Sequence, residues 1–168
     1  MLVKDDKPIP PDTNDKNYIR DLADFLLKVS KEVVELTGGI LSVVEFYSAI
    51  KDDYKNYDGD VSDVLKALKR LEKDDLIVGV RKLKDGDIKI VEFLPVNLTD
   101  DLQYILNIAA SSGYITIGEL LQKTGWDEYR VRRALDTLEK KRIARKVESY
   151  LRGSQYYFPG LKLTNINK

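Results

Sequence analysis

The chain contains neither cysteine nor histidine. Without cysteine there are no disulfides and no thiolate nucleophiles, and without either residue there are no Cys/His zinc sites. A Ser-His-Asp triad cannot form, and no side chain titrates near pH 7 without a large shift. An enzyme built on this sequence would have to work with carboxylates, lysine, tyrosine or a metal held by oxygen. The sequence also lacks a P-loop and a GxGxxG following a strand, and its Gly38-Gly39 pair stands alone. No apolar run approaches the ~20 residues of a membrane span. The opening MLVKDDKPIPPD does not follow the pattern of a signal peptide, so the expectation is a soluble, cytoplasmic protein. Formal net charge is +0, which removes any whole-chain attraction for a polyanion. Residues 100–168 do carry 12 Lys and Arg against 8 Asp and Glu, a net of +4 that leaves the remainder at −4.

With 43% hydrophobic and 33% charged residues, the chain has the apolar side chains for real cores. What it has in unusual form is a repeat. Residues 67–73 read ALKRLEK and residues 134–140 read ALDTLEK. Upstream lie GGILSVVEF and SGYITIGEL, each a glycine, a short β-branched run, then Ser42 or Thr116 followed three residues later by Glu45 or Glu119. Both pairs have the spacing of a capping box, in which the hydroxyl and the glutamate satisfy free N–H groups at a helix start. Downstream of each heptad the sequence alternates as a hairpin. Leu76 to Pro95 turns at KDGD, and IARKVESYLRGSQYYFPG turns at RGS. Phe93-Leu94-Pro95 and Phe158-Pro159 close the two hairpins, because proline donates nothing to a ladder.

A helix precedes each unit. Ile19, Leu22, Phe25, Leu26, Val29, Val33 and Leu36 recur at helical spacing, as do Leu102, Ile105, Leu106 and Ala109. Thr99 is placed to cap the second of these helices, where Asp100 and Asp101 suit the positive first turn. The order per unit is helix, short strand, helix, helix, hairpin. That is a winged helix, mainly α with small β-wings, in two tandem copies. The heptad is the third helix of each copy, with Val61, Val64, Leu65, Leu68 and Leu71 as one apolar stripe and Val131, Ala134, Leu135 and Leu138 as the other. The capping pairs lie 74 residues apart and the heptads 67, and the difference falls in the loop KDDYKNYDGD. The expected organisation is an arm over 1–16, extended or disordered, winged helices over 17–95 and 96–161, and a tail over 162–168. The short connection predicts that the two units pack as one rigid rod.

The stretch from Gly38 to Leu161 resembles the core subunits of ESCRT-II, an endosomal sorting complex whose subunits are called vacuolar protein sorting proteins twenty-two, thirty-six and twenty-five. The resemblance is most specific from FLPVNLTDDLQYILNIAASSGYITIGELLQKTGWDEYRVRRALDTLEKKRIA. It carries a proline after the wing, a helix of fixed length, GYITI, and a Trp before the third helix. QYYFPGL resembles the close of subunit twenty-two, and GGILSVVEF the start of its first winged helix. By length the chain is similar to subunit twenty-five, whose Pro-Pro-aromatic arm docks into a partner. Here Pro8, Pro10 and Pro11 precede no aromatic residue until Tyr18. The resemblance implies a lean, non-enzymatic ESCRT-II subunit without a cofactor, of the kind a pared-down archaeal complex would use. It would bind other ESCRT-II subunits and help recruit and nucleate ESCRT-III in membrane remodelling and endosomal-type protein sorting, peripherally at membranes.

Several side chains carry competing readings. Trp126, the only tryptophan, either closes the corner before the third helix, which Asp127 is placed to cap, or contacts a partner, with Asp127, Tyr129, Arg130 and Arg133 beside it. Tyr156 and Tyr157 alternate on a strand, so one or two rings of Tyr156-Tyr157-Phe158 face inward and the rest are expected at the wing edge. Arg132, Lys141, Arg142, Arg145 and Lys146 extend a basic series. That series is the chief argument for the runner-up function, a winged-helix DNA-binding transcription regulator. Against DNA stand the carboxylates at the third-helix starts, Asp127 and Glu128 in one unit and Asp58, Asp60 and Asp63 in the other, which repel phosphates. Asp136 and Glu139 further suggest a solvated, ion-paired face. A weaker alternative is a module of another assembly, such as a chromosome-partitioning complex. Asp52-Asp53, Asp74-Asp75 and Asp100-Asp101 read as caps and solubilising groups, and no metal site is expected.

Overall fold

The computed structural model describes residues 7–151 and 153–163. Its elements run α1 (Tyr18–Thr37), β1 (Ile40–Ser42), α2 (Val43–Asp53), α3 (Val61–Lys73), β2 (Gly79–Lys82) and β3 (Lys89–Glu92). The order then repeats as α4 (Asp100–Ala109), β4 (Tyr114–Thr116), α5 (Ile117–Thr124), α6 (Glu128–Lys140), β5 (Arg145–Ser149) and β6 (Gly153–Tyr157). The sheets repeat too, both antiparallel, with strand orders β1-β3-β2 and β4-β6-β5. In each, the strand that follows the first helix pairs with the second strand of the wing. This is the tandem winged-helix architecture that the element order predicts.

The heptad occurs twice because it does the same work twice. Val64, Ala67, Leu68 and Leu71 are buried on α3, and Val131, Ala134, Leu135 and Leu138 are buried at the equivalent positions of α6. Val61, at the margin of the expected stripe, remains 40% exposed. Ser42, Thr99, Thr116 and Asp127 each accept a backbone N–H at the helix start they were expected to cap. The reciprocal capping box, however, forms at α3. Asp60 accepts from the N–H of Asp63 at 3.0 Å, and Asp63 accepts from the N–H of Asp60 at 3.2 Å. Asp63 also receives the Tyr18 hydroxyl at 3.0 Å, which ties α1 to the α3 start. Asp60→Ala is expected to cost about 1 kcal/mol, seen as a fall of about 3 °C in the thermal midpoint. A midpoint equal to that of the parent chain would remove the box from the stability argument.

The first wing sheet does not face water on one side, as an isolated wing would. Strand residues alternate faces, so Leu41 and Val91 join the core of the first half. Their neighbours Ile40 and Ile90 point the other way and belong to the core of the second half, together with Leu102, Ile105 and Phe158. Polar ties reinforce this shared sheet. The Ser42 N–H donates to the Gly160 carbonyl at 2.7 Å. The Gln103 amide accepts from the Lys84 N–H at 2.9 Å and donates to the Leu98 carbonyl at 3.0 Å. Asn107 donates to the Lys84 carbonyl at 2.6 Å, and the Lys84 ammonium pairs with Asp100 at 2.8 Å. The corner after α6 lies directly on Gly38, where a Cβ would come within 2.7 Å of the Lys141 carbonyl.

The termini follow the body of the first half. Residues 1–6 of the expected arm lie outside the described residues. Lys7 donates to the Asp53 carbonyl at 3.3 Å and sits 4.5 Å from the Tyr54 ring centroid. Asp12 and Asp15 then fold residues 12–17 into turns by accepting the N–H groups of Asn14 and Asn17. At the other end the Lys162 carbonyl accepts the Tyr157 hydroxyl at 2.7 Å, and Leu163 packs on the core of the first half. The remainder of the tail, 164–168, is outside the described residues.

Candidate interaction surface

The side chains around the start of α6 form the most elaborate surface constellation. Gly125 ends α5 in the left-handed conformation, and the Thr124 hydroxyl accepts the Trp126 N–H at 3.1 Å. These two features turn the chain so that the half-buried indole packs on the second core. The Tyr104 ring lies 5.6 Å from the indole and the Arg130 guanidinium lies 4.0 Å over it. Arg130 also makes a two-pronged pair with Asp101, Nε at 2.9 Å and Nη2 at 2.7 Å. The hydrogen bond from Arg130 holds the Asp101 carboxyl below the usual carboxylate range, and the same bond raises Arg130. Because Arg130 is half exposed and Asp101 about a third exposed, solvent screens the pair, which adds little stability but fixes geometry. Tyr129, next in line, is 74% exposed and its ring is available to solvent.

Trp126 thus closes the corner, and Arg130 and Tyr129 extend the surface it begins. Asp127 caps α6 by accepting the Arg130 N–H at 2.8 Å. Arg132 pairs with Glu128 one turn back at 3.0 Å, while Arg133 is exposed on the same helix. Two residues that sequence reasoning did not single out for this site complete it. Asp101 was read as a helix-dipole residue, and Tyr104 was not read at all. Their three-residue spacing places them on one face of α4, a signal that pairs the two with each other but not with α6.

The wing aromatics are placed differently from expectation. Tyr156, Tyr157 and Phe158 are 3%, 6% and 0% exposed, so Tyr156 and Tyr157 are not displayed to a partner at the wing edge. Tyr156 faces the second core. Tyr157, on the opposite face, stacks on Tyr114 at 4.8 Å and bonds the tail. Alternation predicted one wet face, but the Tyr156-Tyr157 end of β6 is covered on both, while β5 beside it is exposed from Arg145 to Glu148. The exposed large apolar side chains of this wing are instead Val147 on β5 and Tyr150 and Leu151 at its tip.

The basic series is divided among tasks. Arg130 is held by Asp101 and Trp126, and Arg132 by Glu128. Lys141 ends α6, and Arg142 follows in the left-handed region at φ 63°. Arg145 donates to the Leu36 carbonyl at 3.3 Å, satisfying a free carbonyl at the end of α1. Lys146 lies 3.7 Å from Glu148. Pro8, Pro10 and Pro11 are half-buried in the segment that Lys7 anchors beside Tyr54, whereas Ile9 is exposed. Among the described residues, no group of three or more Asp or Glu is placed to hold a metal, and no helix is long and apolar enough to cross a membrane.

The sequence model of the EAP30/Vps36 family matches residues 2–144. The chain belongs to this family. Among relatives of this EAP30/Vps36 chain, vacuolar-sorting protein SNF8 of Xenopus tropicalis is 25% identical over 150 residues, covering 83% of this chain and 57% of the relative. The Homo sapiens SNF8 protein is 24% identical over 132 residues, covering 73% and 50%. A vacuolar protein sorting-associated protein 22 homolog of Arabidopsis thaliana is 25% identical over 164 residues, covering 90% and 65%. The EAP30/Vps36 chain therefore spans about half to two thirds of the length of these relatives. It also shares its fold with a chain in a structure of the ESCRT-II endosomal trafficking complex. The TM-score is 0.64 at 23% identity, over 88% of this chain and 69% of that one. A crystal structure of ESCRT-II described as containing VPS22, VPS25 and VPS36 gives the same values.

Proposed function

We propose that this EAP30/Vps36-family chain is a non-enzymatic subunit of an ESCRT-II-type complex. It works in the cytoplasm, peripherally at membranes, by joining other ESCRT-II subunits and helping recruit and nucleate ESCRT-III in membrane remodelling and endosomal-type sorting. The family match over residues 2–144 carries the reading. The fold shared with a chain of the ESCRT-II structures supports the winged-helix form of the subunit. The two winged helices, 17–95 and 96–161, act as one rigid body, because the first sheet supplies Ile40 and Ile90 to the core of the second half. A body of this kind holds separate binding faces at fixed geometry, which is what a scaffold requires.

The binding face centres on Trp126, Tyr129 and Arg130. An aromatic pair beside an oriented arginine is the composition of an interface anchor. Duplex DNA is disfavoured by the same geometry. The N-terminal turn of α6 presents Asp127 and Glu128, Arg130 is locked to Asp101, and Arg132 is paired with Glu128. Substitution separates the two readings. Tyr129→Ala and Trp126→Ala are expected to weaken subunit binding about 30-fold in a titration against purified partner subunits. Arg132→Glu with Arg133→Glu is expected to leave that binding within about threefold, as rim charges do. Since Tyr129 is 74% exposed, its loss cannot be ascribed to misfolding. Unchanged binding in both aromatic variants would place the interface elsewhere, and duplex binding abolished by the two glutamates would restore the DNA reading.

A further inference from the structure

The tip of the second wing is the least explained apolar surface of the molecule. Tyr150 and Leu151 are 109% and 96% exposed, and neither joins a core of the described residues. They sit at the turn of a hairpin that projects from the body through β5 and β6, and Val147 on β5 is a further 42% exposed. β5 is the outer strand of its sheet and opens with Arg145 and Lys146. Among the described residues of the hairpin, two basic residues, Arg145 and Lys146, stand against one acidic residue, Glu148. Glu148 is occupied within the hairpin, accepting the Ser154 hydroxyl at 3.0 Å and lying 3.7 Å from the Lys146 ammonium.

We propose that this tip inserts Tyr150 and Leu151 into the headgroup region of an anionic lipid bilayer, with Lys146 placed at the phosphates. Two quantities favour lipid over a protein partner. First, two side chains at a hairpin tip bury far less than the ~1,200 Å² of a stable protein interface, whereas a fluid bilayer closes around a small protrusion. Second, the dimensions match. A strand rises ~3.3 Å per residue, so Lys146 lies about 13 Å behind Tyr150. A shallow insertion of roughly 5 Å leaves Lys146 about 8 Å outside the hydrocarbon, in the phosphate layer, and keeps Glu148, about 7 Å behind the tip, outside it as well. A tyrosine is suited to this depth because its ring is apolar and its hydroxyl stays wet.

This inference deepens the membrane side of the proposed function. Its test contains no partner subunit, so it stands or fails separately from the assembly reading. Because the sequence has no cysteine, Leu151→Cys gives a single labelling site for a polarity-sensitive fluorophore in the full chain. A second labelled variant, Lys55→Cys, reports from the loop between α2 and α3. The titrants are vesicles of phosphatidylcholine alone and of phosphatidylcholine with phosphatidylserine. The expected result is binding to the phosphatidylserine vesicles, with a blue shift at position 151 and none at 55. In flotation with unlabelled protein, Tyr150→Ser with Leu151→Ser should weaken binding about tenfold or more. Lys146→Glu should weaken it about fivefold or more. Absence of vesicle binding, binding without a blue shift at 151, or equal binding to neutral vesicles would each overturn the proposal. So would a concentration-dependent dimer abolished by the tip substitutions, which would assign the tip to a second copy of the chain.

Discussion

Gly38→Val is expected to lower the thermal midpoint by about 10 °C, the consequence of about 3 kcal/mol in a domain of this size. Gly38 ends α1 at φ +75°, in the left-handed region that a β-branched residue avoids. Space is the larger cost. A Cβ there would lie 2.7 Å from the Lys141 carbonyl oxygen and 2.8 Å from Arg142 C and Ile143 N, all backbone atoms of the second half. That corner has little freedom to retreat, because Arg142 itself stands at φ 63° and the Ile143 N–H is bonded to the Leu138 carbonyl at 3.0 Å. Gly125→Val is the matched control. Gly125 has a similar φ of +71° with nothing within 4 Å of the added carbon, so it should lose only about 1–2 kcal/mol. Scanning calorimetry on both variants separates conformational strain from contact between the halves. Equal losses would mean that the approach at Gly38 contributes nothing.

Phe158→Ala is expected to cost about 3–5 kcal/mol, a fall of roughly 10–15 °C or failure to fold at the working temperature. Phe158 is 0% exposed and packs in the second core. Its N–H donates to the Gly113 carbonyl at 2.8 Å, and its carbonyl receives the Leu161 N–H at 3.0 Å. The residue therefore fixes the exit of β6 and the turn that brings Gly160 to Ser42. Removing the ring leaves a cavity in the core that side chains of both sheets and of α4 and α6 share. Tyr150→Ser, in the same hairpin, should change stability by less than about 0.5 kcal/mol because nothing packs on it. Urea unfolding of the pair checks both. A mild loss at Phe158 would show that the second core does not rely on this corner.

The sequence disclosed most where local rules and periodicity suffice. The two heptads announced α3 and α6, and the buried positions correspond one for one. Hydroxyl and carboxylate caps at 42, 99, 116 and 127 were legible because capping is settled within four residues. The Asp60–Asp63 box was missed because its carboxylates were weighed only as charges facing a ligand. Tyr156 and Tyr157 were misjudged for a different reason. Alternation tells which side chains share a face but not what covers the face, and here the end of β6 that carries both rings is packed on both sides. The same long-range packing sends Ile40 and Ile90 into the core of the other half. In the candidate site Trp126, Tyr129 and Arg130 were found from their place before α6. Asp101 was not linked to Arg130, because a pair 29 residues apart depends on how α4 and α6 meet.

The central claim is that this chain acts by holding other proteins. Its most direct test is affinity capture of the full chain from extract of its own organism after nuclease treatment, with bound proteins identified by mass spectrometry. The account predicts recovery of ESCRT-II and ESCRT-III subunits at levels that nuclease does not change, and that Tyr129→Ala reduces. Recovery of polymerase or chromatin proteins that disappear with nuclease would contradict it.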